Sequence, residues 1–508
     1  MMIYTRIYRF CFVAFSTILL LLGYPSCQQQ QQDIQSELPN IIFILADDMG
    51  YGDIQAINPE AKVKTPHLDR IVQEGMYFTD AHSGSAVCTP TRYGVLTGRY
   101  CFRTRLKSGV LSGLSPSLIE PGRMTVASLL DQAGYHSACI GKWHLGLDWK
   151  KKDPTQLLYT GSNWSDQNTQ NIDFGAEIHG GPSDHGFDYS YIIPASLDIP
   201  PYCYIRNGYV VGENMEKITG INEGRGLFWR AGDATTGFNF TQTLPHLTDE
   251  ATIYIQRRHK QNAESPFFLY FPLTAPHTPW VPIESFQGSS EAGTYGDFVQ
   301  QVDHTVGQIL AVLDSLNIAD HTLIIFTSDN GSHWKPEDIE QYDHYANDDL
   351  RGMKSDAWEG GHRVPFIARW PEVIEPSTNS DQLVCLTDLL ATCADISKQE
   401  LPFQAGEDSY SFLPALKGNQ KPENVRKDVI HHSINGTFAM RKGTWKLILA
   451  RGSGGWSYEG SENDPPGQLY DMENDRSETQ NLYSEFPEVV DELTQTLEMY
   501  QLEQRSRY

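Results

Sequence analysis

Cationic charge is scarce in this chain of 508 residues: 39 lysines and arginines face 64 aspartates and glutamates, a formal net charge of -25 at pH 7. A surface of that sign repels nucleic acid and anionic membranes, which excludes a nucleic-acid partner. It also repels anionic small molecules, so any anion site has to be a local basic pocket. Cysteine is sparse too. Of the eight, Cys11, Cys27 and Cys88 are set aside below, leaving Cys101, Cys139, Cys203, Cys385 and Cys393. An odd number offers no disulfide framework. Cys385 and Cys393 are close enough in sequence for a bridge, and buried free thiols account for them equally well. Internal repeats are lacking, and the longest apolar run, residues 10–22, is short for a membrane span.

That run follows Arg6 and Arg9 and ends in small and turn-forming residues up to Ser26-Cys27. Residues 1–27 read as a signal peptide. A cysteine directly after such a stretch resembles a bacterial lipoprotein cleavage and acylation site. Cys27 is therefore the expected lipid anchor, with ordinary secretion and an incidental Cys27 as the alternative. Residues 28–37, rich in glutamine, read as a polar tether. The expected location is periplasmic or on the outer membrane of a bacterium, after export across the inner membrane.

Beyond the tether, short apolar runs alternate with helical patterns, as in an α/β domain with a mainly parallel sheet. Ile41-Ile42-Phe43-Ile44-Leu45, Ser137-Ala138-Cys139-Ile140, Phe267-Phe268-Leu269-Tyr270-Phe271 and Leu323-Ile324-Ile325-Phe326 read as buried strands. Residues 125–133 read as a helix stopped by Gly134. Val299, Val302, Val306, Ile309, Leu310, Leu313 and Leu316 mark one face of another. Residues 150–240, rich in Gly, Asn, Asp, Tyr and Pro, read as a loop-rich insertion at the rim of a site. After about residue 400 the pattern becomes a hairpin around Gly443, a short strand at Leu469-Tyr470-Asp471 and a last helix through Val489, Val490, Leu493 and Leu497. The expected division is a large domain over 38–400 and a small antiparallel sheet with one helix over 401–508.

The candidate functional residues fall just after the strands, where open α/β sheets place their sites. Asp47-Asp48 follows the first strand and Asp329-Asn330 the last. Three carboxylates and an amide, with no Cys or His, form an all-oxygen set that suits calcium, magnesium or manganese rather than zinc. Cys88-Thr89-Pro90-Thr91-Arg92, continued by Leu96-Thr97-Gly98-Arg99, reads as a turn entering a helix, where a nucleophile feels the positive end of the dipole. Gly141-Lys142-Trp143-His144 supplies a point charge for an anionic oxygen and a proton-transfer group. Ala275-Pro276-His277-Thr278-Pro279 holds a histidine between prolines, and Arg351-Gly352-Met353-Lys354 adds a second cation. Glu359 to Pro365 reads as a glycine-rich structural connection, with His362 and Arg363 exposed and unassigned.

Together these motifs resemble the type I sulfatases of the alkaline phosphatase superfamily, from about Asn40 to the C-terminus. The Cys-x-Pro-x-Arg cluster is similar to that family's maturation signature. The resemblance implies an alkaline phosphatase-like fold and a formylglycine (3-oxoalanine) made from Cys88 by a formylglycine-generating maturation enzyme. It implies one Ca2+ held by Asp47, Asp48, Asp329 and Asn330 together with the modified Cys88. It implies sulfate binding and processing by Arg92, Lys142, His144, His277 and Lys354. Ser196, in a Ser-x-Asp segment, is the residue such a resemblance assigns to a further sulfate contact.

The implied reaction starts with attack on sulfur by one hydroxyl of the hydrated formylglycine, activated by the metal and a carboxylate such as Asp329. Lys142 and Lys354 stabilise the sulfuryl oxygens, and His277 assists the leaving alcohol. His144 then removes a proton from the other hydroxyl and sulfate departs. The expected substrate is an extracytoplasmic sulfated glycan, algal or glycosaminoglycan, attacked from its end. A phosphate or phosphonate monoester hydrolase of the same superfamily is the alternative enzyme. An inactive glycan-binding surface lipoprotein is the alternative of another class.

Overall fold

The computed structural model describes residues 38–158, 169–212, 214–419 and 425–507. The signal peptide, Cys27 and the whole of the tether lie outside them. In chain order the main sheet takes β1 (Asn40–Asp47), β2 (Met76–Phe78), β3 (His136–Lys142), β4 (Tyr189–Ile193), β5 (Tyr204–Arg206), β6 (Tyr209–Val211), β7 (Phe267–Pro276), β8 (Thr322–Ser328), β9 (Phe366–Arg369) and β10 (Thr378–Ser380). Among the described residues its order is β10-β2-β9-β8-β1-β7-β3-β4-β5-β6. The five central strands, β8 to β4, are mutually parallel, and antiparallel pairs appear only toward the edges.

A strand covered on both faces has no polar side to show, which is why β1, β7 and β8 read as unbroken apolar runs. Every residue of β1 is buried. Ile42, Ile44, Leu269, Phe271, Ile324 and Phe326 face one layer of helices: α1 (Pro66–Gln73), α4 (Thr243–Gln261) and α5 (Gly293–Ser315). Helix α5 carries the apolar stripe expected from its spacing; Leu316, the last residue of that stripe, caps it. The opposite layer holds α2 (Cys88–Thr97), α3 (Val126–Asp131) and α6 (Leu389–Ile396), which pack on one another. Helix α3 begins where Thr125 caps it, its hydroxyl accepting from Ser128 N–H at 3.1 Å.

A four-stranded antiparallel sheet follows: β11 (Asp428–His432), β12 (Phe438–Lys442), β13 (Trp445–Ile448) and β14 (Gln468–Asp471). Helix α7 (Pro487–Leu502) lays Val490, Leu493 and Leu497 against Met440, Leu447 and Leu469. Tyr100, Phe102 and Cys385 join that cluster, so this sheet packs on the rest of a single unit, Pro39–Tyr508.

The structure corrects two expectations and decides between two readings of a cysteine pair. The insertion is not only loop: Tyr189–Ile193 enters the parallel core as β4, and β5 and β6 extend the sheet beyond it. Glu359–His362 forms a helical turn, and His362 and Arg363 are buried rather than exposed. Cys385 and Cys393 are buried free thiols, as are Cys88, Cys101, Cys139 and Cys203. No helix of the described residues is long and apolar enough to cross a membrane.

Candidate active site

The carboxyl ends of β1, β3, β7 and β8 converge and bring Asp47, Asp48, Lys142, His144, His277, Asp329 and Asn330 together. Helix α2 presents its first residue, Cys88, to the same place. The Cys88 sulfur lies 3.3 Å from His144 Nδ1. His144 Nε2 lies 2.8 Å from the Leu111 carbonyl, which only accepts. Nε2 therefore carries the proton, and Nδ1 faces Cys88 as a free base. Burial, followed by the neighbouring Lys142, holds His144 well below the usual histidine range. The Cys88 thiol is pushed up by burial, a rise that Lys142 and Lys354 oppose.

Arg92, one turn into α2, is fully buried and donates to Asp329 Oδ2 from Nε at 3.1 Å and from Nη2 at 2.7 Å. Lys142 straddles Asp47 at 2.9 and 2.7 Å. Lys354 donates to Asp48 Oδ2 at 2.7 Å. Burial lowers the proton affinity of Lys354, but Asp48, Cys88 and Asp47 outweigh it and hold the ammonium above the usual lysine range. Asn330 Nδ2 donates to Asp48 Oδ1 at 2.7 Å, and Asp48 N–H donates to Asp329 Oδ1 at 3.2 Å. His277 Nε2 is 3.7 Å from Asp48 Oδ2. Its Nδ1 lies 2.6 Å from the Thr278 carbonyl, so the proton on Nδ1 is fixed and Nε2 faces the acids.

Asp47, Asp48 and Asp329 fit a divalent cation. Asn330 Oδ1 is a buried acceptor with no donor, and an oxygen so placed is one that a hard cation satisfies. Burial and then the Asp47 charge push Asp329 up to about 7; a nearby positive ion favours the charged carboxylate and works against that rise.

Cys88, His144, His277 and Lys354 line a cavity of about 470 Å3. Ser196 reaches the site through His277 (Oγ to Nδ1, 3.3 Å), while Asp198 lines the cavity itself. The upper walls come from residues the motifs did not mark. Asn222, Arg225, Phe228 and Arg230 belong to the insertion, His333 follows β8, and Trp456 comes from the C-terminal part. The Arg-Gly-Leu-Phe-Trp-Arg stretch from Arg225 to Arg230 was a visible basic and aromatic signal in an acidic chain. Trp456 had none. Lys354, Arg225 and Arg230 bring positive charge to the cavity, each paired with a carboxylate, Asp48, Asp338 and Asp198 respectively.

A mainly parallel α/β sheet with acidic groups that could hold a cation, buried lysines and a helix-borne cysteine at its strand ends has the make-up of a hydrolase of anionic esters. The chain belongs to the sulfatase family, whose sequence model matches residues 39–398. A second model, N-sulphoglucosamine sulphohydrolase, C-terminal, matches residues 353–504. The chain is 35% identical over 521 aligned positions to an N-acetylgalactosamine-6-O-sulfatase of Bacteroides thetaiotaomicron, covering 95% of this chain and 96% of that one. It is 31% identical to the mouse N-acetylgalactosamine-6-sulfatase, over 88% of this chain and 79% of that protein. A solved structure from the glycosaminoglycan-metabolism locus of Bacteroides thetaiotaomicron superposes with a TM-score of 0.78 at 33% identity, covering 92% of this chain and all of the other.

Proposed function

We propose that the protein removes sulfate from the ends of a glycosaminoglycan-type glycan carrying N-acetylgalactosamine 6-sulfate, using formylglycine at position 88 and calcium. The observation that carries this reading is the meeting of Cys88, His144, His277 and Lys354 on one cavity floor beside the acidic cage. The full-length likeness to N-acetylgalactosamine 6-sulfatases supports the sugar. Asp47, Asp48, Asp329 and Asn330 would hold calcium, which when bound supplies charge that polarises a sulfuryl oxygen. Formylglycine supplies a hydrated aldehyde as the nucleophile.

The chain's own residues do the rest. Arg92 orients Asp329, and Lys142 and Lys354 offer ammonium protons to the sulfuryl oxygens. His277, with Nδ1–H held on the Thr278 carbonyl, donates to the leaving alcohol from Nε2 as an imidazolium carrying its second proton there. His144 presents an unprotonated Nδ1 where a hydroxyl proton must be removed for sulfate to leave. Ser196 holds His277 through its hydroxyl, 3.3 Å from Nδ1, and so positions it. Export by residues 1–27, lipidation at Cys27 and conversion of Cys88 by a maturation enzyme complete the reading, as does a catalytic part over 38–400 carrying a subdomain over 401–508.

The test is release of inorganic sulfate from N-acetylgalactosamine 6-sulfate, beside its 4-sulfate isomer and a phosphate monoester. The expected result is turnover of the 6-sulfate and none by Cys88→Ala, which keeps the wild-type melting temperature. Sulfate release by Cys88→Ala at the wild-type rate, or preference for the phosphate ester, overturns the reading.

A further inference from the structure

Trp456 stands at a polar cavity with its side chain about half exposed (48%). Leaving an indole wet forgoes apolar burial, and this one is held there by the fold. Its backbone N–H donates to Ser355 Oγ and Asp356 Oδ1, both at 3.0 Å. Those two residues directly follow Lys354, whose ammonium sits on the cavity floor. Gly455, just before it, passes so close that a Cβ there would lie 2.4 Å from the Ser355 carbonyl oxygen. The indole also meets the His333 ring, centroids 4.8 Å apart. Burial, with Lys354 and Arg225, pulls His333 down to about 3, so its ring is neutral. Phe228, the other aromatic side chain on the cavity wall, is capped by the Arg230 guanidinium 4.9 Å from its centroid.

A pyranose has one face of C–H bonds, slightly positive, and an indole face is slightly negative. We propose that Trp456 is the platform on which the sugar ring of the substrate stacks, setting specificity for a sulfated sugar rather than for sulfate itself. This rests on the sulfatase reading and adds a residue that no sulfate contact requires. The loop from Lys354 to Asp356 ties the platform to the anion-binding floor, so ring and sulfate are registered by one segment.

The experiment compares wild type, Trp456→Ala and Trp456→Tyr on N-acetylgalactosamine 6-sulfate, with inorganic sulfate as competitive inhibitor. For the alanine variant KM should rise about tenfold, the scale of one lost aromatic face contact. The loss should fall on KM rather than kcat. The inhibition constant for sulfate should be unchanged, and tyrosine should restore most of the loss. An unchanged KM in an enzyme that turns the sugar over overturns the platform. So does a parallel weakening of sulfate, which is the mark of a structural role. If wild type releases sulfate from no ester, the sulfatase reading itself fails and the platform with it.

Discussion

Asp48, His144 and Ser355 hold positive φ angles of 67°, 54° and 86°. L-residues avoid this region, at a cost of about 1–3 kcal/mol each, unless the surroundings impose it. Each is a proposed functional residue or the direct neighbour of one, although eight other described non-glycine residues, among them Asn207 and Lys398, share this region. At His144 the turn lets Nδ1 face Cys88 while Nε2–H is spent on Leu111. A base fixed in one tautomer is ready without rearrangement. His144→Gln should therefore lower kcat by about two to four orders of magnitude with little change in KM. Steady-state sulfate release checks this; a kcat within threefold of wild type contradicts it. Asp47, Asp48, Lys142, His144, His277, Asp329 and Asn330 were legible because each follows or ends a hydrophobic run that reads as a strand, whereas Cys88 and Arg92 were legible as a motif at a helix start. The sequence left open which side chains pair, such as Arg92 with Asp329, because residues 237 positions apart carry no local signal.

At the scale of elements, the loop after β8 and the turn Glu359–His362 lie backbone to backbone. Gly331 N–H donates to the Gly361 carbonyl at 3.0 Å, and a Cβ on Gly331 would fall 1.9 Å from the Gly360 carbonyl oxygen. No rotamer avoids backbone, so Gly331→Ala must displace the loop that carries Asn330. Overpacking of this kind costs about 1–3 kcal/mol. The variant should melt lower and need more calcium for half-maximal activity, as a calcium titration of sulfate release would show. An unchanged calcium midpoint would separate this loop from the cation site. The glycine-rich connection was legible as a connection, but its contact with the metal loop was not. Strands β4 to β6 were missed for a related reason. Their stretch is short, broken by Asn and Gly, and rich in tyrosines that fit a rim as well as a strand. Only packing beside β3 decides between them.

At the scale of the whole molecule, the C-terminal sheet docks through a buried seam of charge. Lys446 donates to Glu359 at 2.9 Å and lies 2.8 Å from Glu478, and Arg441 donates to Asp80 at 2.6 Å. Three histidines lie between. His82 Nε2–H donates to Asp80 at 2.8 Å, so its Nδ1 accepts from His362 Nδ1–H at 3.1 Å. His362 Nε2 in turn accepts from Lys446 at 3.0 Å. His362 and His431 stack with centroids 3.6 Å apart and planes 10° apart. A metal ion lies in the ring plane of each histidine it binds, so this pair cannot share one. The seam is a relay of neutral rings.

Burial pulls His82, His362 and His431 below the ordinary histidine range and His432 down to about 4. A lowered histidine contributes stability that is present above its unfolded value, about 6.5, and lost as pH falls below it. Glu478, pushed up to about 7 by burial, works in the opposite sense, binding its proton in the folded state first. Asp329 and Asp303, also raised to about 7, act with Glu478, and His144 and His333 act with the seam histidines; the lowered histidines outnumber the raised carboxyls, so the unfolded chain takes up more protons between about pH 6.5 and 4.5. The melting temperature should fall steadily from pH 6.5 to 5. Because the seam joins both parts of the chain, it should fall as one transition rather than two. Calorimetry across that range is the check. A flat melting temperature would mean that the seam's histidines already carry charge in the folded protein, and a split transition that residues 401–508 unfold independently of the catalytic part.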